Sequence, residues 1–146
     1  MLLRKAVSEL YSVQERQIVI ENDAAGAPYL PEQDIYVSIS HAESFAFCAI
    51  SENPVGIDAE KLRDIPSRIA ERTFSTGEMS YLGKITDDIL RGEQARRFFE
   101  IWTAKEAYAK MIRTGISLHN TPDTSTLECI RHEYFKDYVI SVCGKL

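Results

Sequence analysis

The sequence predicts an α+β fold, and the order of its local patterns leads to that prediction. A helical pattern and several short strand-like runs precede Pro66, helical patterns follow it, and strand-like runs return after Pro122. Strands, then helices, then strands are typical of α+β proteins, in which helices pack on antiparallel sheets. No internal repeat or linker divides the 146 residues, so a single domain over 1–146 is predicted.

Each predicted element follows from the spacing of its apolar residues. Apolar residues three and four apart predict a helix from Leu2 to about Tyr11. Ser75 with Glu78 predicts a capping box at the start of a later helix. The predicted helices span 2–11, 67–74, 75–90 and 98–115, and the predicted strands span 16–22, 34–40, 44–51, 54–60, 125–135 and 137–143.

Composition and charge argue against several classes of protein. The formal net charge is -5, which disfavours a nucleic-acid partner because phosphate contacts need a basic surface. Charged residues at positions 4, 5 and 9 argue against a signal peptide or a membrane span at the start. The three cysteines lack metal-binding spacing, and their odd number suits reduced thiols, so the predicted location is the cytoplasm.

The segment "GIDAE" is the first patch with possible chemistry. On a strand, residues two apart share a face, so Asp58 and Glu60 are expected side by side. Like charges this close raise each other's pKa unless a cation such as Lys61 or Arg63 lies between them. The alternative is a solvated strand end without a function. Gly56 leaves room for a close approach of backbone or ligand.

The segment "WTAKEAYAK" is the second patch. Trp102, Glu106 and Lys110 are four residues apart and share one helix face, while Lys105 lies about 100° away around the helix. The alternative is a solvated face on which Glu106 and Lys110 form an ordinary ion pair.

The segment "SISH" is the third patch. Ser38 and Ser40 precede His41 in a predicted loop between strands, where hydroxyls and backbone N–H groups can meet an anion. An exposed histidine with no role is the alternative.

Taken together, the three patches predict a metal and phosphate site. Asp58, Glu60 and Glu106 supply oxygen ligands that suit Mg2+, or Mn2+ in its place, better than zinc. A metal with basic groups around it is the usual arrangement for phosphoryl-type transfer. The basic or donor groups here are Lys105, Lys110 and His41.

Beyond these local arguments, the motifs resemble those of a known family. "VGIDAEK" and "WTAKEAYAK" resemble the two signatures of the 4'-phosphopantetheinyl transferase superfamily, G-(I/V)-D-x-E and (W/F)-(S/T)-x-K-E-(A/S)-x-x-K. "SISHA", "GAPYL" and "TFSTGE" resemble further elements of its surfactin-synthetase-activating branch. The resemblance runs in the same order from about Gly26 to Ser117.

The resemblance implies a fold and a reaction. The implied fold is the α+β fold of 4'-phosphopantetheinyl transferases, whose two halves are related by a pseudo-two-fold axis. The implied enzyme, a holo-[acyl-carrier-protein] synthase, moves the 4'-phosphopantetheine arm of coenzyme A to a serine of an acyl- or peptidyl-carrier protein. No nucleic acid or membrane is an expected partner, and a monomer is favoured over a trimer.

The resemblance also implies roles for residues of this chain. Asp58, Glu60 and Glu106 are expected to bind Mg2+, with Glu106 and Lys110 as the catalytic residues. Lys105 and Lys110 are expected to hold the pyrophosphate of coenzyme A. The groups expected at its nucleotide end are Ser40 and His41 for the 3'-phosphate and the backbone from Gly26 to Pro28 for the adenine.

The sequence departs from the family pattern at three places. Ala27 stands where a basic residue is expected between Gly26 and Pro28, and Ala42 stands where a serine is expected. The chain also begins where the first half of such proteins is already under way. A non-catalytic domain that keeps the fold and binds coenzyme A or a carrier protein is therefore the alternative. An unrelated α+β domain, with the three carboxylates far apart, is a further one.

Overall fold

The computed structural model describes residues 2–113 and 121–145. Four α-helices and nine β-strands make up the described part, together with two short 3-10 turns. The helices are α1 Leu2–Tyr11, α2 Ser67–Thr73, α3 Thr76–Leu82 and α4 Gly92–Ile112. The strands are β1 Glu21–Asn22, β2 Pro28–Tyr29, β3 Tyr36–Ala42, β4 Phe45–Ser51, β5 Val55–Lys61, β6 Ile65–Pro66, β7 Ile89–Leu90, β8 Ile130–Phe135 and β9 Tyr138–Gly144.

Two antiparallel sheets carry the architecture. Strands β3 and β4 form a hairpin in which Tyr36 pairs with Ser51 and Ala42 with Phe45. The second sheet has three strands in the order β5-β9-β8, with Asp58 opposite Ser141. Two further pairs, β1 with β2 and β6 with β7, have two residues in each strand.

One long helix packs on each of these sheets. Helix α1 buries Leu3 and Val7 against the apolar side of the β3-β4 hairpin. Helix α4 lies on β5 and β9, and its Phe98 and Phe99 are among the largest fully buried side chains in the described part. Burial of each such apolar side chain contributes roughly 1.5–3 kcal/mol to stability. The α+β prediction is confirmed.

Helix α4 approaches β5 so closely that only glycine fits between them. A Cβ atom built on Gly56 would lie 1.9 Å from the carbonyl oxygen of Ala107 and 2.6 Å from the backbone nitrogen of Met111. The close approach suggested by this glycine is therefore made by the backbone of α4. It fixes the distance between the strand that carries Asp58 and the helix turn that carries Glu106.

Most predicted elements are present, but four are wrong in extent. The helix predicted from 98 begins earlier, at Gly92, and the strand predicted over 125–135 begins only at Ile130, after a 3-10 turn at Thr124–Thr126. The strand predicted over 16–22 is a 3-10 turn at Glu15–Gln17, followed by only two paired residues, because Ile18 packs singly into the core beneath α1. The helix predicted over 75–90 ends at Leu82, where Gly83 takes a φ of 90°. The capping box of Ser75 and Glu78 at its start is confirmed.

Residues 114 and 115 at the end of the predicted 98–115 helix, and the last part of the family resemblance, lie outside the described residues. None of the helices in the described part has both the length and the apolar character that a membrane crossing needs.

Candidate active site

Asp58 is the centre of the candidate site. It lies in the middle of β5, where its side chain is only 11% exposed and faces α4. Its Oδ1 accepts a hydrogen bond of 3.0 Å from Ser40 Oγ and one of 2.7 Å from Lys110 Nζ. Burial raises the pKa of Asp58 above its ordinary value, while the Lys110 ammonium and the Ser40 hydroxyl act in the opposite direction.

Two serine hydroxyls hold β3 alongside β5 in place of a backbone ladder. Ser38 Oγ accepts from the backbone N–H of Ile57, and Ser40 Oγ accepts from that of Ala59, both at 3.1 Å. Both serines are 5% exposed. Side chains thus satisfy buried donors of β5 that the β5-β9 pairing leaves free, since buried N–H groups without acceptors are costly.

Lys110 reaches from α4 into the same place. Its Nζ donates to Asp58 Oδ1, to the carbonyl of Ile57 at 3.1 Å and to that of Ile39 at 3.4 Å. The ordinary Glu106–Lys110 ion pair, which was the alternative for this helix face, is absent from the contacts of the described residues, because the ammonium turns to the strands instead. The contacts of Lys110 therefore contradict that alternative.

Asp58, Glu60 and Glu106 form what we call the acidic cluster. Burial raises the pKa of Glu106, and the nearby Asp58 and Glu60 carboxylates raise it further. Glu60 is paired with Arg63 at 2.9 Å, whereas Glu106 has no hydrogen bond or ion pair with any described residue. The three carboxylates are therefore close enough to influence one another electrostatically, and the Lys110 ammonium opposes their effect on Glu106.

The acidic cluster has the chemistry of a cation site, although its atoms do not converge on one point. No group of three His, Cys, Asp or Glu residues within 2–113 and 121–145 is arranged to hold a metal ion. Lys110 is paired with Asp58, and Arg63 is paired with Glu60. Three carboxylates with two paired cations leave an excess negative charge, and a hard divalent cation suits that oxygen-only donor set.

A pocket of about 220 Å³ opens beside Lys110. We call it the Gly26 pocket. Its walls are the loop before β2, the middle of β3 and the end of α4, and its lining includes Gly26, Pro28, Lys110 and Arg113. The structure therefore brings together Gly26, Pro28 and Lys110, which the family resemblance implied as co-substrate residues.

Lys105 lies elsewhere. It is 2% exposed and forms an ion pair of 2.9 Å with Glu78, which is fully buried. Glu78 also accepts from the backbone N–H and hydroxyl of Thr124, and from the backbone N–H of Ser75. The structure thus places Lys105 in a buried polar network on another side of α4, not with Lys110.

Ser40 and His41 are separated by the pleat of β3. The loop predicted there is wrong, because residues 40–42 belong to that strand. Ser40 faces β5 and uses its hydroxyl on Ala59 and Asp58. His41 lies on the opposite face and is exposed, without a hydrogen bond or ion pair to any described residue.

Sequence reasoning missed Arg113. This residue ends α4, and its guanidinium donates to the carbonyls of Pro28 and Val37. Its φ of 52° is left-handed, a conformation that favours glycine. The only local signal was a charged residue near the predicted end of the 98–115 helix.

We predict that Ser40→Ala destabilises the protein by about 1–3 kcal/mol, because the buried N–H of Ala59 loses its acceptor. The free energy of unfolding from urea titration measures this change. Ser44→Ala, at an exposed position in the β3-β4 turn, is the matched control and should be close to neutral. Equal unfolding free energies for the two variants would refute the structural role of Ser40.

Comparison with known proteins gives one consistent result. Residues 54–143 match the family model of the 4'-phosphopantetheinyl transferase superfamily. The 4'-phosphopantetheinyl transferase gsp of Aneurinibacillus migulanus is 34% identical over 116 residues, which cover 80% of this chain and 47% of that protein. The 4'-phosphopantetheinyl transferase Sfp of Bacillus subtilis (strain 168) is 34% identical over 118 residues, 80% of this chain and 51% of its own.

A more distant relative agrees. The 4'-phosphopantetheinyl transferase HetI of Nostoc sp. (strain PCC 7120 / SAG 25.82 / UTEX 2576) is 31% identical over 124 residues, 80% of this chain and 50% of its own. The chain thus spans about half the length of the curated relatives it matches.

Proposed function

The chain belongs to the 4'-phosphopantetheinyl transferase superfamily, and from that membership we propose that it transfers the 4'-phosphopantetheine arm of coenzyme A to a serine of an acyl- or peptidyl-carrier protein. The observation that carries the proposal is the position of Lys110. Its ammonium lies between the acidic cluster and the Gly26 pocket, bonded to Asp58 on one side and lining the pocket on the other. This position of a cation beside a pocket suits a pyrophosphate group whose attached nucleotide enters the pocket.

Two residues are proposed to act on the reacting groups. Glu106 accepts the proton of the carrier serine, since a carboxylate whose pKa is raised by burial and repulsion is a stronger base than an ordinary one. Lys110 supplies positive charge beside the pyrophosphate and balances the negative charge that develops on the leaving phosphate. Its carbonyl partners Ile57 and Ile39 hold the ammonium in place for that task.

Mg2+ is the proposed metal, on the donor chemistry of the acidic cluster. Asp58, Glu60 and Glu106 would hold it, and when bound it neutralises negative charge on the pyrophosphate. The excess negative charge of the cluster supports this proposal, because two carboxylates with raised pKa values gain most from a cation.

The nucleotide end of coenzyme A is proposed to enter the Gly26 pocket. The backbone of residues 25–28 forms one wall, and Ser38 and Ile39 form another. His41 is exposed on the same face of β3 as Ile39, two residues beyond the pocket wall, and is the proposed further partner for the 3'-phosphate.

Intact-mass measurement of carrier proteins tests the transfer directly. The purified chain, Mg2+ and coenzyme A are incubated with a set of unmodified acyl- and peptidyl-carrier proteins. We expect one carrier to gain the mass of one phosphopantetheine, and chelation of the metal to prevent the gain. No gain on any carrier, together with calorimetric binding of coenzyme A, would favour the non-catalytic binding domain instead.

Asp58→Asn is the decisive variant for that assay. It removes the buried charge that Lys110 contacts, so we expect transfer to fall by about 100-fold or more. Asp88→Asn, at an exposed position with no side-chain partner in the described part, is the matched control and should transfer normally. Circular dichroism checks that both variants fold, and equal rates in the two would overturn the assigned site.

A further inference from the structure

Arg113 occupies a backbone position at which an arginine is unexpected. It is the C-cap of α4 and has φ 52° and ψ 26°, the left-handed region in which a side chain adds strain. Glycine is the usual residue at a helix end in this conformation. A strained residue of this kind points to a task for its side chain.

The guanidinium of Arg113 is held against the loop before β2 that contains Gly26, which we call the Gly26 loop. Its Nη2 donates to the carbonyl of Pro28 at 2.9 Å and to that of Val37 at 3.1 Å. Its Nη1 lies 3.6 Å from Asp23 Oδ2, which is close enough for an ion pair but too far for a hydrogen bond. The N–H groups at Nε and Nη1 therefore donate no hydrogen bond to any described residue.

The charge of the pocket favours an anion. The residues that line it include two cations, Lys110 and Arg113, and no carboxylate. Lys110 is committed to Asp58 at 2.7 Å, so the loosely paired Arg113 has the more available charge. Asp23 has another role, because its Oδ1 accepts from the backbone N–H groups of Ala25 and Ala27 and shapes the loop.

We propose that Arg113 binds a phosphate group of the co-substrate in the Gly26 pocket. This rests on the proposed function, since it assigns the phosphate to coenzyme A. With Nη2 bonded to two carbonyls, Nη1 still has N–H groups that can donate a charge-assisted hydrogen bond to a phosphate oxygen. Arg113 thereby supplies from the end of α4 a cation that the Gly26 loop, with Ala27 at its centre, does not carry.

The test is calorimetric binding, without carrier protein, of coenzyme A and of dephospho-coenzyme A to the full chain and its variants. We expect Arg113→Gly to weaken coenzyme A binding about 10- to 100-fold, the loss of one charge-assisted contact. A loss confined to coenzyme A assigns Arg113 to the 3'-phosphate, and an equal loss for both ligands assigns it to the pyrophosphate. Arg113→Lys should lose less than Arg113→Gly.

The control and the rescue separate charge from structure. Lys136→Gly also removes a cation at a positive φ, of 53°, but in the turn between β8 and β9, and should bind normally. Arg113→Gly combined with Ala27→Lys returns a cation to the pocket wall and should restore much of the affinity. Unchanged affinity in Arg113→Gly, or no recovery in the double variant, would overturn the proposal.

Failure of this inference is distinct from failure of the proposed function. Binding that depends on Arg113, without transfer to any carrier, would support the phosphate contact and remove the transferase activity. Transfer with an unchanged KM for coenzyme A in Arg113→Gly would support the transferase activity and remove the phosphate contact. Inorganic pyrophosphate is the further probe, and equal binding to wild type and Arg113→Gly would argue against a pyrophosphate contact.

Discussion

Lys105→Met is expected to destabilise the protein by about 3–5 kcal/mol, the usual loss when one partner of a buried ion pair is removed. Glu78, which is fully buried, would lose the cation 2.9 Å away. The corresponding fall in melting temperature is on the order of 10 °C. Calorimetric melting of the purified variant measures it.

Two companion variants make that measurement decisive. Lys105→Met combined with Glu78→Gln replaces the buried carboxyl group that has lost its partner, and should recover much of the lost stability. Lys110→Met is the matched control in the same helix, because its ammonium is more exposed and contacts Asp58. We expect Lys110→Met to lose transfer more than stability and Lys105→Met to lose stability first.

The outcome bears on the pyrophosphate role predicted for Lys105. If Lys105→Met melts near the wild-type temperature yet binds coenzyme A weakly, that role is supported and the structural one is refuted. The folded variant's affinity for coenzyme A, measured well below its melting temperature, separates the two. Unchanged affinity with a large loss of stability leaves Lys110 as the lysine of the site.

Much of the site could be predicted because its residues obey simple periodicities. Asp58 and Glu60 share a strand face, and Glu106 and Lys110 share a helix face, whatever the rest of the chain does. Gly56 similarly indicated a close approach, which the backbone of α4 makes to β5. The family resemblance then indicated that this strand face and this helix face lie together. The structure brings Asp58 and Lys110 into contact across 52 positions of sequence.

The features that local patterns did not show have a common physical cause, which is a partner distant in sequence. Lys105 seemed available because nothing local showed that Glu78 would be buried beneath it. Ser40 seemed to be a loop donor, because the strand that needs its hydroxyl begins fifteen or so residues later. Arg113 reaches a carbonyl 85 positions earlier, which no pattern along the chain can indicate.

Glu106→Gln is expected to stabilise the metal-free protein at neutral pH while reducing transfer by about 100-fold or more. Burial and the Asp58 carboxylate raise the folded-state pKa of Glu106 above its unfolded value. A raised carboxyl pKa means that protonation favours the folded state, so stability falls as the pH rises from the unfolded to the folded pKa. Glutamine has the same shape without that charge.

The pH dependence of melting, recorded in a chelating buffer, checks this reasoning. At pH 7 the variant should melt above the wild type, and the difference should shrink as acid protonates Glu106 in both states. Glu71→Gln, at an exposed position of α2, is the matched control and should show no such difference. A variant that melts below the wild type at pH 7, or a gap that widens in acid, would contradict the repulsion argued for the acidic cluster.

Added Mg2+ extends the same test to the metal. A cation bound at the acidic cluster removes the repulsion, so wild type should gain more melting temperature from Mg2+ than Glu106→Gln does. The difference in melting temperature between the two proteins should therefore shrink or change sign as Mg2+ is added at pH 7. Equal gains in both would mean that Glu106 does not contribute to the metal site, even if it still accepts the serine proton. A carboxylate that destabilises the empty site and stabilises the loaded one is what a binding residue should be, because its charge is useful only with its ligand present.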